Sequence, residues 1–408
     1  MNKYEVENGF NERGKSSKEE IRIRESLDAL APELKLLAMQ IHNNPELSGH
    51  EFRACAWQTE LLGKYNFSVE TGICGLETAY RASYRGRKIG PKIAFLAEYD
   101  ALPGLGHGCG HNLIAMVAVG CGLACREFVD IYGGQIDVIG TPAEETSGGK
   151  VTMAESGVFR EYDAVMMAHP AFSNAEAINT MALDGYRVEF WGRAAHAAIA
   201  PYEGINALDA MINFYNLLNA LRQQTKPDVR IHGIITDGGQ AANIIPDYTA
   251  AEIFIRANRD ADVQELAKKV QKCADGAALG TGCICKVSSC EMHVKDTRPN
   301  CVLNQLAVSC AEKYVGKPLK RMEAGFTFGS SDFGDVSYET PAVQLLFKVG
   351  DYPDPWGGLH TPEMVAASAS EFGMNSGLDF AKGLALAAVE IIKQPAILGE
   401  IEAAFRQP

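Results

Sequence analysis

The sequence predicts an α/β protein: a mostly parallel sheet covered by helices on both faces, with a smaller α+β domain inserted in it. Strand-like apolar runs alternate with helical patterns in the first and last thirds of the chain, which is typical of a parallel sheet. Between them lie alternating, half-exposed strands and two amphipathic helices. The predicted bounds are 1–183 and 297–408 for the main domain and 184–296 for the inserted domain.

The N-terminal elements begin with an amphipathic helix from Lys18 to Asn43, in which apolar residues recur every three or four positions. Pro32 lies inside this pattern, where a proline kinks or divides a helix. A second helix is expected from Glu51 to Tyr65. Strands near Val69 and from Glu77 to Tyr84 then lead to the centre of the chain.

The stretch FLAEYDALPGLGHGCGHNLIA, from Phe95 to Ala115, combines a strand end, a glycine-rich loop and a helix start. Its polar side chains are Glu98, Asp100, His107, Cys109 and His111. Loops at the carboxyl ends of strands are where α/β proteins build sites, and Cys109 and His111 can point the same way toward one ion. Alone, the stretch is equally compatible with an incidental glycine-rich turn. It lacks the GxGxxG and GxxxxGK patterns of phosphate-binding loops.

Two more strands are predicted to deliver polar groups to the same edge of the sheet. The run Gln135 to Gly140 is followed by Glu144-Glu145, and the run Ala164 to Ala168 ends in His169-Pro170. Neighbouring side chains of an extended backbone point to opposite sides, so one glutamate can bind a metal while the other faces an attacking water. Taken singly, these residues have ordinary alternatives, which are an acidic turn and a core histidine.

The available ligands are one thiolate, three imidazoles and a carboxylate, with His360 of the GGLHTPE loop as the third imidazole. This set suits zinc or a similar divalent ion. Five ligands are too many for one tetrahedral site with an open position, so we expect two ions that share a bridging group. For His360 alone, an exposed loop residue is the alternative.

The remaining elements follow the same two styles. In the inserted domain, strands are predicted at Asp184–Trp191, Ile231–Thr236, Thr249–Ala257 and near Cys285–Cys290. A long helix that ends at about Leu221 and a second helix at Glu265–Ala278 are also predicted there. After it come a helix from Cys301 to Val315, a buried strand from Ala342 to Phe347 and one or two helices from Ala366 to Ile392.

Composition narrows the possible partners. The net charge of −13 argues against nucleic acid and anionic membranes. The first twenty residues lack the apolar core of a signal peptide, and the longest apolar run, from Leu113 to Cys125, is too short to span a bilayer. Eleven cysteines without a signal peptide suggest reduced thiols, so a cytoplasmic location is expected.

Several motifs together resemble one family. AEYDALPGLGHGCGHN, TPAEE, GRAAHAA with NALDA, AANIIPD and HTPE occur in the order found in the two-metal aminoacylase and carboxypeptidase family. They are most similar to its amidohydrolase branch, which includes auxin-conjugate hydrolases, p-aminobenzoyl-glutamate hydrolases and β-alanyl dipeptidases. The likeness extends from about Leu34 to Ala385.

The resemblance implies two divalent ions per chain, most simply zinc, with manganese, cobalt and nickel as alternatives. It implies Glu144 as general acid/base and, as metal ligands, Cys109, His111, Glu145, His169 and His360. It further implies a lid that mediates homodimerisation, with His196, Asn243 and Arg256 holding a small substrate that has a free carboxylate. The implied reaction is hydrolysis of the amide bond of N-acyl or N-aminoacyl amino acids, such as dipeptides or p-aminobenzoyl-glutamate-like conjugates.

One departure from the family pattern concerns Glu98, because many carboxypeptidase-type relatives carry a histidine there. The amidohydrolase branch lacks that histidine too, so Glu98 and Asp100 are expected to orient ligands or bound water. His107 and the segment Ser330-Ser331-Asp332 are left without a role. The alternative function is a catalytically silent binding or assembly protein on the same fold. That alternative predicts a lost ligand or base, whereas Glu144 and all five ligand candidates are present.

Overall fold

The computed structural model describes residues 16–323 and 326–406. The helices in these ranges are α1 (Lys18–Asn43), α2 (Phe52–Lys64), α3 (His111–Tyr132), α4 (Gly149–Glu155), α5 (Ala207–Arg222), α6 (Asp260–Thr281), α7 (Cys301–Val315), α8 (Phe333–Glu339), α9 (Pro362–Ser368), α10 (Glu371–Lys393) and α11 (Pro395–Arg406). The strands are β1 (Ser68–Thr71), β2 (Tyr80–Arg85), β3 (Lys92–Ala97), β4 (Gln135–Gly140), β5 (Ala164–Ala171), β6 (Ala182–Trp191), β7 (Arg230–Asp237), β8 (Tyr248–Ala257), β9 (Ile284–Val294) and β10 (Ala342–Lys348).

Six strands form the main sheet in the order β1-β2-β4-β3-β5-β10. β4, β3, β5 and β10 are parallel to one another, and β1 and β2 are antiparallel additions at one edge. The carboxyl ends of β3, β4 and β5 therefore meet at one edge of the sheet. The predicted mostly parallel sheet is confirmed.

Alternate residues of β3 pack against helices on opposite faces of the sheet. Ile93 and Phe95 lie in a core with α1, α3, α7 and α10, whereas Ala94 and Leu96 lie in a second core with α4 and α8. All four side chains are at most 1% exposed. Truncation of Phe95 to alanine is expected to cost about 3–5 kcal/mol, because the surrounding cores cannot close the cavity fully. Burial on both faces holds the strand end, and the acids after it, in a fixed position.

The second sheet has four antiparallel strands in the order β7-β8-β6-β9. Phe190 and Ile253 point toward α5 and α6 and form a separate apolar core. The residues that alternate with them, such as Phe254 and Arg256, lie on the face that these helices leave uncovered. This sheet occupies residues 182–294, and the domain bounds at 184 and 296 stay a prediction.

Two details differ from the sequence-based expectation. Pro32 neither ends nor divides α1, which continues from Lys18 to Asn43. β5 does not end before His169 but continues to Ala171, because β10 pairs with it as far as Lys348. In the described ranges, no helix combines the length and apolar character that a membrane span needs.

Candidate metal centre

The five predicted metal ligands come from four different parts of the fold. Cys109 lies in the loop before α3, His111 is the first residue of α3, and His169 lies near the end of β5. Glu145 follows β4, and the backbone N–H of His360 donates to the carbonyl of Gly108 at 2.8 Å, which joins the C-terminal loop to the cysteine loop. The sheet and these loop contacts bring all five together.

The ligand atoms form two groups that share one residue. Cys109, His111 and His169 make one group, and Cys109, Glu145 and His360 make the other, with the donor atoms of each group within 4.8 Å of one another. The Sγ of Cys109 lies 3.6 Å from Nε2 of His169, and Nε2 of His360 lies 3.4 Å from Oε2 of Glu145. Two neighbouring donor sets of sulfur, nitrogen and oxygen fit two divalent ions of the zinc type.

Two buried polar atoms at the centre of this cluster lack a hydrogen-bond partner among residues 16–323 and 326–406. They are Nε2 of His111 and Oε1 of Glu145, which lie 3.8 Å apart. Burial of such atoms without a partner costs free energy, so a protein keeps them only where something else binds them. Divalent ions held by the two ligand groups would satisfy both atoms, and the donor set therefore fits metal ions.

Asp100 orients two of the predicted ligands, His111 and Glu145. Its Oδ1 lies 2.9 Å from Nδ1 of His111, and its Oδ2 accepts from the backbone of Glu145 at 3.0 Å and from Ser48 Oγ at 2.8 Å. Because the neighbours of Nδ1 are acceptors, this nitrogen carries the proton and leaves Nε2 free to bind a metal. His169 has the same arrangement, with Nδ1 at 2.8 Å from the carbonyl of Pro170.

Opposite charges shift the pKa values of Asp100 and His111 in opposite directions. Burial raises the pKa of Asp100, but the charge and hydrogen bond of His111 outweigh this and hold it well below its usual range. Burial lowers the pKa of His111, and the charges of Asp100 and Glu98 reverse this and raise it strongly. The carboxylates of Asp100 and Glu98 thus stabilise a positive charge at His111. A proton on His111 provides that charge in the absence of metal, and a bound divalent ion would provide it in place of the proton.

The adjacent glutamates also differ. Burial raises the pKa of Glu144 strongly, and the charges of Glu98 and Asp332 add to the effect. At Glu145 burial acts in the same direction, but the hydrogen bond from His360 and the charge of His111 overcome it and lower the pKa. Oε2 of Glu144 lies 3.9 Å from Nε2 of His111. One glutamate is thus held as a carboxylate beside the histidines, whereas its neighbour readily holds a proton.

The turn that presents this pair is strained. Ala143 has a positive φ of 62°, a conformation that costs residues with a Cβ free energy. Its N–H donates to Oε1 of the buried Glu51 at 2.9 Å, and Oε2 of Glu51 accepts from Thr78. Glu51 therefore holds the backbone of Ala143 in place, a role that the sequence pattern did not indicate.

A buried ion-pair group next to Glu144 was also absent from the sequence-based prediction. Nζ of Lys150 lies 2.6 Å from Oε1 of Glu98 and 2.5 Å from Oδ1 of Asp332, and all three side chains are at most 1% exposed. Glu98 also approaches Nε2 of His111 at 3.3 Å. Lys150 thereby forms ion pairs with both Glu98 and Asp332 and neutralises part of the negative charge next to the ligand cluster. A lysine that follows two glycines is expected at the surface, so no sequence pattern indicated that Lys150 is buried.

The predicted substrate-binding residues do not lie together. Arg256 lines a cavity with Glu144 and Glu145, and its Nη1 donates to Ser330 Oγ at 2.9 Å. His196 and Asn243 are exposed neighbours of each other, joined by the hydrogen bond from Ala197 N–H to the carbonyl of Asn243, and neither lines that cavity. Within one chain, the structure therefore brings only Arg256 to the candidate centre.

His107 lies outside both ligand groups. It is buried, its Nε2 lies 3.2 Å from the carbonyl of Ile41, and its ring stacks on His42 at a centroid distance of 6.1 Å. Burial lowers the pKa of His107 to about 3, so it stays neutral. It packs the cysteine loop against the end of α1.

Comparisons with known proteins agree with this geometry. Residues 179–281 match the family description "Peptidase dimerisation domain". The chain is 37% identical over 400 residues to the Xaa-Arg dipeptidase of Mus musculus, covering 94% of this chain and 91% of the relative. It is 35% identical over 266 residues to one of the subunits of the p-aminobenzoyl-glutamate hydrolase of Escherichia coli K12, covering 60% and 55% of the two chains.

Solved structures show the same fold at low sequence identity. A dinuclear metal-binding peptidase of the M20 family from Bacillus subtilis matches with a TM-score of 0.67 and 19% identity, over 90% of this chain and 99% of that one. The aminobenzoyl-glutamate utilization protein of Klebsiella pneumoniae gives a TM-score of 0.69 at 19% identity, over 90% and 98%.

Fold, ligand geometry and relatives together define a metal-dependent hydrolase of amide or peptide bonds, as predicted. The chain belongs to the M20 peptidase family.

Proposed function

We propose that the chain is a two-metal dipeptidase that hydrolyses N-aminoacyl amino acids with a free C-terminal carboxylate. The observation that carries the proposal is a pair of buried atoms without a hydrogen-bond partner among the described residues, His111 Nε2 and Glu145 Oε1. Both can bind a metal, and they belong to the two ligand groups that share Cys109. The dipeptidase among the relatives, which covers 94% of this chain, favours a dipeptide over an acetylated amino acid.

The proposed metal ligands are Cys109, His111, Glu145, His169 and His360, with Cys109 common to both groups. When bound, the two ions would polarise the scissile carbonyl and lower the pKa of the attacking water. Zinc suits the sulfur and imidazole donors best, and manganese, cobalt and nickel are alternatives. Asp100 keeps His111 and Glu145 in orientation through the two hydrogen bonds described above.

Glu144 is the proposed general acid/base. Its surroundings raise its pKa, so it accepts a proton from the attacking water and keeps that proton until the amide nitrogen of the leaving amino acid needs it. Arg256 is the proposed partner of the substrate carboxylate, since a guanidinium binds a carboxylate through two parallel hydrogen bonds. Glu98 and Lys150 hold the acidic side of the site in place.

Homodimerisation through residues 184–296 is also proposed. Among the strands of residues 16–323 and 326–406, β7 has a neighbour on only one side, and Ile234 and Ile235 on it are 63% and 44% exposed. Such an apolar sheet edge is suited to cover by a second copy. His196 and Asn243, remote from their own chain's cavity, would then bind substrate in the partner's site. A cytoplasmic location, argued from the eleven cysteines, belongs to the same proposal.

A substrate screen tests this function. Protein reconstituted with zinc or manganese is offered dipeptides, acetylated amino acids and p-aminobenzoyl-glutamate, and released amino acid is measured. We expect dipeptides to be cleaved fastest, with loss of activity after chelation and two ions per chain in the active protein. Full activity with one ion per chain contradicts the two-metal mechanism. Absence of hydrolysis with every substrate would support the silent binding protein instead.

A further inference from the structure

We propose that Ser330 is a positioning residue that holds the guanidinium group of Arg256 ready for the substrate carboxylate. This role rests on the proposed function, in which Arg256 binds that carboxylate, and it adds the residue that orients the arginine. Its basis is a hydrogen bond between the second sheet and the loop before α8. Nη1 of Arg256, on β8, donates to Oγ of Ser330 at 2.9 Å.

The second sheet itself offers the side chain of Arg256 no acceptor. Residues directly opposite on neighbouring strands share a face of the sheet, and Arg256 lies opposite Leu183 of β6 and Arg230 of β7. Leu183 is apolar, and Arg230 carries a like charge and donates to backbone carbonyls just before or at the start of its own strand. Within the described ranges, Ser330 is the one residue to which the guanidinium of Arg256 donates.

The hydrogen bond leaves most of the guanidinium available to a ligand. Arg256 and Ser330 both line the cavity of about 210 Å³ that also contains Glu144 and Glu145. A guanidinium has several N–H donors in a fixed plane, and Ser330 takes one of them, on Nη1. The edge formed by Nε and Nη2 has no acceptor in the part of the chain that the structure describes, so its two parallel donors can bind a carboxylate. Ser330 thus fixes the arginine without competing for that edge.

The loop that carries Ser330 is itself fixed on both sides. Before Ser330, the carbonyl of Gly329 accepts from the backbone N–H of Met181 at 2.9 Å. After it, Oδ2 of Asp332 accepts from the backbone N–H of Lys150 at 3.0 Å, and Oδ1 of Asp332 pairs with Nζ of the same lysine. The hydroxyl is therefore presented from a constrained backbone, as a residue that orients a flexible arginine must be.

An arginine that is already oriented loses less side-chain entropy when its ligand binds. Immobilisation of one long side chain changes a dissociation constant about 2- to 10-fold. We therefore expect Ser330→Ala to weaken carboxylate binding by about that factor, and Ser330→Thr, which keeps a hydroxyl, to restore it. Because the carboxylate contact is made equally in the bound substrate and in the transition state, KM should rise while kcat changes little.

The test measures binding without turnover. Metal-loaded Glu144→Gln protein, alone and combined with each Ser330 variant, is titrated calorimetrically with Ala-Arg and with alanyl-agmatine, which lacks only the carboxylate. Ser330→Ala should weaken Ala-Arg binding about 2- to 10-fold and leave alanyl-agmatine binding unchanged. Ser331→Ala is the matched control and should leave both affinities unchanged. Ser331 lines the same cavity, but its Oγ accepts from the backbone N–H of Phe333 at 3.2 Å.

A second background decides whether Ser330 acts through Arg256 or on the ligand directly. In Arg256→Met protein, Ser330→Ala should cause no further loss, since the side chain that it orients is gone. A loss that persists there overturns the positioning role, and so does Ser330→Ala protein that binds Ala-Arg as tightly as its parent. Both results leave the proposed dipeptidase function standing. If the parent prefers Ala-Arg no more than alanyl-agmatine, or if Arg256→Met leaves that preference unchanged, the carboxylate assignment in the proposed function is wrong, and the role of Ser330 fails with it.

Discussion

Glu144 and Glu145 show how adjacent identical residues acquire different chemistry. Both are carboxylates at the same strand end, yet the pKa of Glu144 is raised by burial and by neighbouring acids, whereas that of Glu145 is lowered by His360 and His111. The pair lies in a turn after β4 and not in an extended strand, and the difference comes from the different neighbours of the two side chains. Spacing in the sequence singles out the pair, and the surroundings give its two members opposite pKa shifts.

This difference gives a paired prediction. Glu144→Gln should lower kcat by about two to four orders of magnitude, since the general acid/base is lost, while two metals per chain remain. Glu145→Gln should lower the metal content, because an amide oxygen is a weaker ligand than a carboxylate. Elemental analysis and steady-state kinetics on both variants measure the two effects. Exchange of the two phenotypes would show that the roles within the pair are reversed.

Lys150 matters for stability because its neighbours cannot be buried alone. Burial lowers the pKa of Lys150, but the charges of Asp332 and Glu98 outweigh this and raise it, so the lysine stays protonated. Loss of that charge leaves the buried carboxylates of Asp332 and Glu98 without the lysine that pairs with both.

Lys150→Met should therefore destabilise the protein by about 3–5 kcal/mol. Lys92→Met is the control, since its ion pair with Glu161 is more than one-third exposed and is worth at most about 1 kcal/mol. Denaturant unfolding of the two variants gives the comparison. Equal free energies of unfolding would mean that the buried acids take up protons at little cost.

At the scale of elements, local signals placed most of the secondary structure. α7 has its predicted ends, Cys301 and Val315, and the structure shows that Asn300 caps its first turn and that Gly316, with a φ of 74°, follows its last residue. β4 was also predicted at its observed ends, since a buried apolar run has sharp limits. The extension of β5 through His169 was missed, because it depends on pairing with a strand about 180 residues later.

In the candidate site, too, some residues had a local sequence signal and others did not. Chemical type and position near strand ends predicted Cys109, His111 and the glutamate pair, and the structure brings their side chains together, while their roles stay a prediction. Lys150 and Glu51 carried no such signal, because the burial of both side chains depends on tertiary packing. Residues whose role is set by distant chain segments escape local patterns.

A pH dependence is expected where β9 ends. His293 lies 3.4 Å from Asp184 of β6 and 2.8 Å from Asp260 of α6, and hydrogen bonding to Asp184 raises the pKa of His293 with a further contribution from Asp260. Protonated His293 thus stabilises the folded state fully below its unfolded pKa of about 6.5. The stabilisation is lost as the pH rises through the higher folded pKa.

The wild-type protein should accordingly lose about 1 kcal/mol relative to His293→Gln as the pH rises from 6 to 9. Urea unfolding at several pH values measures the difference, and His50→Gln, which removes an exposed histidine, is the control. A difference between wild type and His293→Gln that does not change with pH would contradict the ion pair.

At the scale of the whole molecule, one chain supplies only part of the proposed site. Glu144, Glu145 and Arg256 line one cavity, and Glu145 also belongs to the cluster of predicted metal ligands. His196 and Asn243 are exposed elsewhere, on loops of the second sheet. A two-fold dimer makes any exchange reciprocal, so each chain would complete the partner's site. The match of residues 179–281 to a dimerisation domain supports such a pair.

Complementation tests whether the site is shared. His196→Ala and Glu144→Ala proteins should each be nearly inactive alone, since every site of either homodimer carries a lesion. If His196 acts in the partner's site, a heterodimer of the two variants contains one site with both lesions and one with neither. Mixing under conditions that let the chains exchange should then restore up to about half of the wild-type rate per heterodimer. If instead His196 serves its own chain, both sites of the heterodimer stay damaged. Verified heterodimers without activity would therefore rule out the shared site.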